Sequence, residues 1–229
     1  MSLIVTSEYE LNRVVAPRLP IATRQYDPDY INQLNNILRL YFNQLDNIIG
    51  QLKTGSGAID GSGLRLPYGA FSSDQDQTTT ANTATLMTLN TTDFSNDVGL
   101  DIGSKIKVTK AGIYNLQFST QFQNTDNQIQ DISIWLRQGN DGGSSADITG
   151  STGYVSIPAR KSASAGEEAH EIIGWNYYLS MAVDDYVQIY WSATNASVTI
   201  QAYPTSTSPT RPSTQSVVAT LSFVSALPP

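Results

Sequence analysis

The sequence contains no cysteine and a single histidine, His170. The first absence excludes a disulfide framework and any thiolate metal site. The second leaves a zinc site short of ligands, because such sites draw on several His or Cys. It also obliges any Ser-His-Asp arrangement to use His170, and no Gly-x-Ser-x-Gly elbow exists to present a serine. Charge is scarce too, at 14 % of residues against ~25 % in ordinary globular domains. The surface must therefore be built from Ser, Thr, Asn and Gln. Within that small set, 13 basic residues face 20 acidic ones, for a net charge of −7. Phosphate binding relies on clustered Lys and Arg, and none cluster here, so nucleic acid is not an expected partner. No apolar run approaches the ~18 residues of a membrane span. Met1–Glu8 lacks the basic start and apolar length of a signal peptide. The expectation is a chain with no membrane partner, carried out of a cell, if at all, by something other than the usual export route.

What the chain does have is a seven-residue period. Ile31, Leu38, Leu45 and Leu52 are seven apart, and Leu34, Tyr41 and Ile48 follow the first three of them at three residues. That spacing makes helices supercoil around copies of themselves. Asp27 suits an N-cap, Pro28 the first helical position and Asp29 the positive helix end. The pattern predicts a helix over 28–52, ~37 Å long. Ile37, Phe42 and Ile49 widen the stripe, which favours three or more strands or packing on a neighbour. An amphipathic helix folded back onto the rest of the chain is the alternative.

Residues 1–26 form an expected extended arm. Val14, Val15, Pro17, Arg18, Leu19, Pro20 and Ile21 give it apolar content, with two prolines holding it extended. That content suits docking on another protein, whereas a disordered tail is the plainer possibility. Residues 54–63 are a Gly/Ser hinge. They are no phosphate loop, because no Lys-Ser/Thr follows.

From Leu66 onward the period becomes two. Tyr114, Leu116, Phe118, Thr120 and Phe122 share one face of a run. Ile132, Ile134 and Leu136 share another, and Ile173, Trp175, Tyr177, Leu179 and Met181 a third. Val187, Ile189 and Trp191, then Val198, Ile200 and Ala202, then Val217, Ala219, Leu221 and Phe223 complete the series. Turn-rich stretches at 138–145, 182–186 and 204–212 separate them. Many short strands without an intervening helix predict a mainly β sandwich or jelly roll. The expected core includes Tyr114, Leu116, Phe118, Phe122, Trp175, Trp191 and Phe223. Tyr178, Tyr190 and Tyr203 point away from it and are candidates for contacts between copies.

Glu167, Glu168 and Glu171 are close in sequence, but adjacent carboxylates in a Gly/Ala/Ser-rich loop are more often a solvated patch than a glycosidase pair. Asn96, Asp97 and Asp101, or Asp184 and Asp185, have no calcium-loop spacing and are explained as turn formers. No catalytic residue, metal or cofactor is expected.

The segment Lys107–Phe118 resembles the glycine–any–tyrosine strand of the complement/tumour-necrosis-factor-like jelly roll. Ile132–Arg137, Asp185–Trp191 and Val217–Phe223 resemble later strands of that family. The resemblance implies a ten-strand jelly roll that assembles as a trimer with a binding or structural role, not an enzyme. It departs from the collagen-stalked members, having no Gly-X-Y repeat. Pro17–Ile21, Asn35–Leu45, Pro67–Phe71 and Leu89–Asp93 resemble segments of small virion proteins of short-tailed marine and cyanobacterial bacteriophages.

The expected organisation is an arm (1–26), a trimeric coiled-coil helix (27–53), a hinge (54–63) and a jelly-roll head (64–229). The expected function is a homotrimeric capsid decoration or cement protein on the virion surface, its arm bound to the major capsid protein or another virion protein. A short tail fibre or receptor-binding tip is the alternative, with a host glycan or protein bound through head loops such as 138–152 and 204–214. A cellular adhesin or secreted ligand is more remote.

Overall fold

The computed structural model describes residues 16–21, 24–53, 66–162, 164 and 167–227, and of residues 47–53 the backbone alone. The chain divides into two compact units, Met1–Arg65 and Leu66–Pro229. Val14, Val15, the hinge 54–63 and the side chains of Ile48 and Leu52 lie outside the described residues.

In the first unit, residues 16–21 have no regular structure, and Leu19 and Ile21 are exposed. Helix α1 (Pro28–Lys53) follows. Its start is set by Asp27, whose Oδ1 accepts the Asp29 amide at 3.0 Å while its carbonyl accepts the Ile31 amide. This is the N-cap expected from the sequence. None of residues 28–46 is buried within the single chain: Leu34, Leu38, Tyr41 and Leu45 are half-exposed, and Ile31 is exposed. Among the described residues, the seam positions from Ile31 to Leu45 are thus left unburied in one copy.

The second unit is a jelly-roll sandwich of two sheets. One runs β10 (Ala169–Met181), β6 (Gly112–Asn124), β15 (Val217–Ser225), β1 (Tyr68–Ser73), β3 (Thr91–Asn96), with β12 (Val198–Ile200) also on β6. The other runs β4 (Val98–Asp101), β5 (Lys105–Val108), β11 (Asp185–Ala193), β7 (Gln130–Asn140), β8 (Ser145–Asp147). On this second sheet β2 (Thr85–Leu86) also pairs with β11 and β9 (Gly153–Ile157) with β7. The sandwich is the jelly roll that the family resemblance implies, its two main paths carrying five strands each and β2, β9 and β12 pairing beside them. A small hairpin, β13 (Ser206–Thr207) with β14 (Thr210–Arg211), stands apart. The first and last strands pair, with Ser73 opposite Val217, and the Phe223 amide bonds the Pro67 carbonyl at 2.9 Å. The head thus begins and ends at one end of the sandwich.

Strand β6 is the spine of the first sheet. Its register runs from Asn124 opposite Ala169 to Gly112 opposite Met181. Burial alternates along it as a strand with one covered face requires. Tyr114, Leu116, Phe118 and Phe122 are buried, as are Ile132, Ile134, Leu136, Val187, Ile189, Trp191, Val217, Ala219 and Leu221. Phe122 meets Trp191 edge-on across the sandwich with ring centres 5.5 Å apart, and within the first sheet Tyr114 meets Phe223 edge-on at 5.5 Å. Trp175 and Phe223 are only partly buried but pack on this core. Trp175 stacks on Phe118 at 6.2 Å and lies over Gly153 of β9, so one indole closes the open side between the sheets. The stretch expected as a turn from 138 is partly strand, because β7 continues to Asn140 before β8 returns along it.

Candidate functional site

The two outer faces of the sandwich differ in charge. The first sheet's strands carry Asp93, His170 and Glu171 as their ionisable acids and bases, and no Lys or Arg. Its outer face is laid with Asn115, Gln117, Ser119 and Gln121 of β6, Asn176 and Tyr178 of β10, and Val218 and Thr220 of β15. Ile172, Tyr178 and Val218 are exposed there. A shallow groove of about 500 Å³ crosses β10, β6 and β15 where Gly174 leaves the surface low. Around the groove this face has no charged side chain, Asp93 lying at the β3 edge, and exposes apolar ones, so it is cheap to desolvate, which is what a contact between protein surfaces needs.

The second sheet's strands hold Lys105, Lys107 and Arg137 against Asp101, Asp131, Asp147 and Asp185. On its outer face Tyr190 and Trp135 sit directly opposite in register and stack with centres 5.9 Å apart at 24°. The Arg137 guanidinium lies 4.3 Å from the Tyr190 ring centre, and its Nε donates to Asp147 Oδ1 at 2.7 Å. That hydrogen bond from Arg137 holds the Asp147 carboxyl below the usual carboxylate range.

At one end of this sheet Lys107 Nζ stands among Asp141 Oδ2 (2.7 Å), Asp184 Oδ1 (3.2 Å) and Asp101 Oδ2 (3.9 Å). Lys105 also reaches Asp141 and covers the Tyr186 ring at 4.3 Å. Hydrogen bonds from Lys107 and Lys105 lower the Asp141 pKa, and those to Asp141 and Asp184 raise that of Lys107. The Lys107 ammonium is a counter-charge of Asp101 and Asp184. Asp185 instead closes the β10–β11 turn, accepting the Ala182 amide at 2.8 Å and the Asn140 and Gln138 side chains. Asp97 is a turn residue at φ 56°, accepting from Thr109. Among the described residues no group of three or more His, Asp or Glu is arranged to hold a metal. His170 is exposed, and its Nδ1 lies 3.0 Å from the Tyr203 hydroxyl.

The three outward tyrosines do not share a face. Tyr178 is on β10 of the first sheet, Tyr190 on β11 of the second, and Tyr203 lies beside His170 next to the β13–β14 hairpin. Period-two alternation says that each points away from the core but not which sheet it belongs to, and sheet membership depends on distant pairing. The Trp135–Tyr190–Arg137 ladder was missed for the same reason. Its available signal is a tryptophan on the polar side of the run Ser133, Trp135, Arg137.

No protein-family model matches the chain, and no curated protein matches it. Among solved structures, a tumour necrosis factor, Eiger, from S. frugiperda is similar at 11 % identity and a TM-score of 0.48, over 72 % of this chain and 97 % of that one. The globular domain of a zebrafish complement 1qA protein is similar at 12 % identity and 0.41, over 71 % of this chain and 100 % of that one. The jelly-roll assignment rests on the strand order and registers given above.

Proposed function

We propose that the chain is a non-enzymatic, homotrimeric structural protein of a bacteriophage virion surface, a capsid decoration or cement protein whose arm binds the particle and whose head projects from it. The observation that carries the reading is a pair of surfaces left uncovered in one copy. The described seam residues Ile31, Leu34, Leu38, Tyr41 and Leu45 lie unburied, and the six-stranded sheet has no Lys or Arg on its strands. Both are satisfied at once if copies associate through the helix and through that face. Helix association holds three heads at high local concentration, so each head contact need be only modest. Three arms, each with Leu19 and Ile21 exposed, then give avidity on a repeating shell.

The phage origin comes from the sequence resemblance of the arm, helix and head segments. A short tail fibre or receptor-binding tip keeps the same trimer and puts the arm on a tail. The short helix favours decoration, because it offers little reach.

The test is mass and copy number. Sedimentation of the purified chain should give three copies of the 24.9 kDa polypeptide, and a monomer at micromolar concentration would end the reading. Removing residues 1–26 should leave the trimer and abolish particle binding. Many tens of copies per particle support decoration, while a dozen or fewer support a tail appendage.

A further inference from the structure

The outer face of the second sheet lies on the side away from the contact between copies proposed above, and the inference rests on that reading. Much of the chain's surface is built from Ser, Thr, Asn and Gln, and here aromatic rings are grouped among such side chains. Two of its three tryptophans, Trp175 and Trp191, pack in or against the core. The third, Trp135, stands half-buried on this outer face. Beside it β9 presents Tyr154, which is 80 % exposed. In register Tyr154 lies opposite Ser133, and Ser133 lies opposite Ser192. This row of one phenol and two hydroxyls is two residues along the strand from the Trp135–Tyr190 row, about 7 Å away.

The ladder is ordered before any ligand arrives. Tyr190 is held between the Trp135 indole and the Arg137 guanidinium, and Arg137 is itself anchored on Asp147. Tyr190 is thus a positioning residue, and the ring surfaces left for a ligand are those of Trp135 and Tyr154. Preorganised rings lose little conformational freedom on binding.

We propose that this face binds an uncharged saccharide chain. The C–H groups on one side of a pyranose ring carry slight positive charge and pack on the negative face of an aromatic ring. Trp135 and Tyr154 supply two such faces on neighbouring strands, in diagonal positions roughly 7–8 Å apart at the backbone. The rim supplies what vicinal hydroxyls need: donors in the terminal nitrogens of Arg137, acceptors in the carboxylate of Asp147, and both roles in Ser133 and Ser192. The Arg137–Asp147 pair is neutral in sum, so it favours no ionic ligand by itself. The surroundings are hydroxyl groups and the Asp131 carboxylate, which accepts from Ser156 at 2.6 Å, with Leu86 as the aliphatic neighbour of Tyr190. This differs from the apolar packing at the centre of a protein interface. The platform stands apart from the trimer because it lies on the opposite sheet from the uncharged face.

The test uses the full chain and six neutral probes: dextran, amylose, mannan, galactan, cellohexaose and a β-1,4-linked hexamer of N-acetylglucosamine. Tryptophan fluorescence follows binding, and sedimentation follows oligomer mass in parallel. At least one probe should give a saturable change, weakened tenfold or more in both Trp135→Ala and Tyr154→Ser at unchanged mass. Tyr154→Ser alters an exposed side chain and keeps the test valid if Trp135→Ala folds poorly. No response to any probe at millimolar sugar overturns the proposal, as does undiminished binding in Tyr154→Ser. A fall in oligomer mass in either variant overturns it too, and assigns the face to contact between copies.

Discussion

Gly153→Ala is a small change that the sandwich should not tolerate. Trp175 reaches from β10 across the open side and lies on Gly153. A Cβ at that position would overlap Cη2 outright and stand 2.5 and 2.7 Å from Cζ3 and Cζ2. Backbone is not the obstacle, since Gly153 is not among the positive-φ glycines. With compatible backbone, Gly→Ala alone stabilises by about 0.4–1 kcal/mol through the unfolded chain. Against this, forcing an extra methyl into a packed site costs about 1–3 kcal/mol. The indole cannot move freely to relieve the clash, because its other side stacks on Phe118 at 6.2 Å and 27°. The net expectation is a loss of about 1–2 kcal/mol. The same substitution made in a Trp175→Ala background should be neutral or slightly stabilising, because the obstructing rings are gone. Urea unfolding of the four chains at one fixed protein concentration measures the coupling, the fixed concentration being needed if copies associate. Additive losses, with Gly153→Ala equally harmful without the indole, would refute the argument that Trp175 is the closure of the sandwich.

Val218→Lys puts an unpaired ammonium in the middle of the uncharged face. If copies meet there, the buried charge costs several kcal/mol at each contact, so sedimentation should show a weakened oligomer. The head alone should change by no more than about 0.5 kcal/mol, as for an ordinary surface site. The Lys107 cluster sets a pH dependence at the other sheet. Asp141 has its pKa lowered in the folded chain, so its contribution is present above the unfolded value of 3.8 and is lost as pH falls through the lower folded value. Lys107 has its pKa raised, so its contribution is present below the unfolded 10.5 and lost as pH rises beyond it. Amide exchange at Asp141 and Asp184 should therefore be flat between about pH 5 and 10 after correction for the intrinsic rate, with faster opening only outside that window.

The sequence displays what repeats locally. The inward faces of β6, β7, β11 and β15 follow from period-two alternation, and the helix start follows from Asp27-Pro28-Asp29, because each is decided by neighbours a few positions away. Whatever depends on pairing between distant strands is hidden. Lys107 meets Asp141 across 34 positions, and nothing near either residue announces the other. β2, β8, β13 and β14 are two or three residues long, too short for alternation to be seen. β3 has hardly any burial to alternate. Gly153 looks like one more loop glycine until β10 brings Trp175 over it.

A sandwich has only two broad outer faces, and this one divides them by chemistry. Between the two sheets, only one has Lys or Arg on its strands. Even there, lysine ammoniums and one guanidinium lie over tyrosine rings or on carboxylates: Lys105 on Tyr186, Lys107 on Asp141 and Asp184, Arg137 on Tyr190 and Asp147. The other sheet is left without cations. A surface that merely needed solubility would scatter its charges over both. Confining them makes one face inexpensive to cover and keeps the other hydrated and ordered. The chain also enters and leaves the head at the same end, where Phe223 bonds Pro67. The turns at the opposite end, around 124–130 and 193–198, are therefore unencumbered by either terminus of the head. An uncharged face covered by copies would leave that end and the ladder face exposed together. A ligand-binding role, if the head has one, belongs to those surfaces and not to the sheet with the groove.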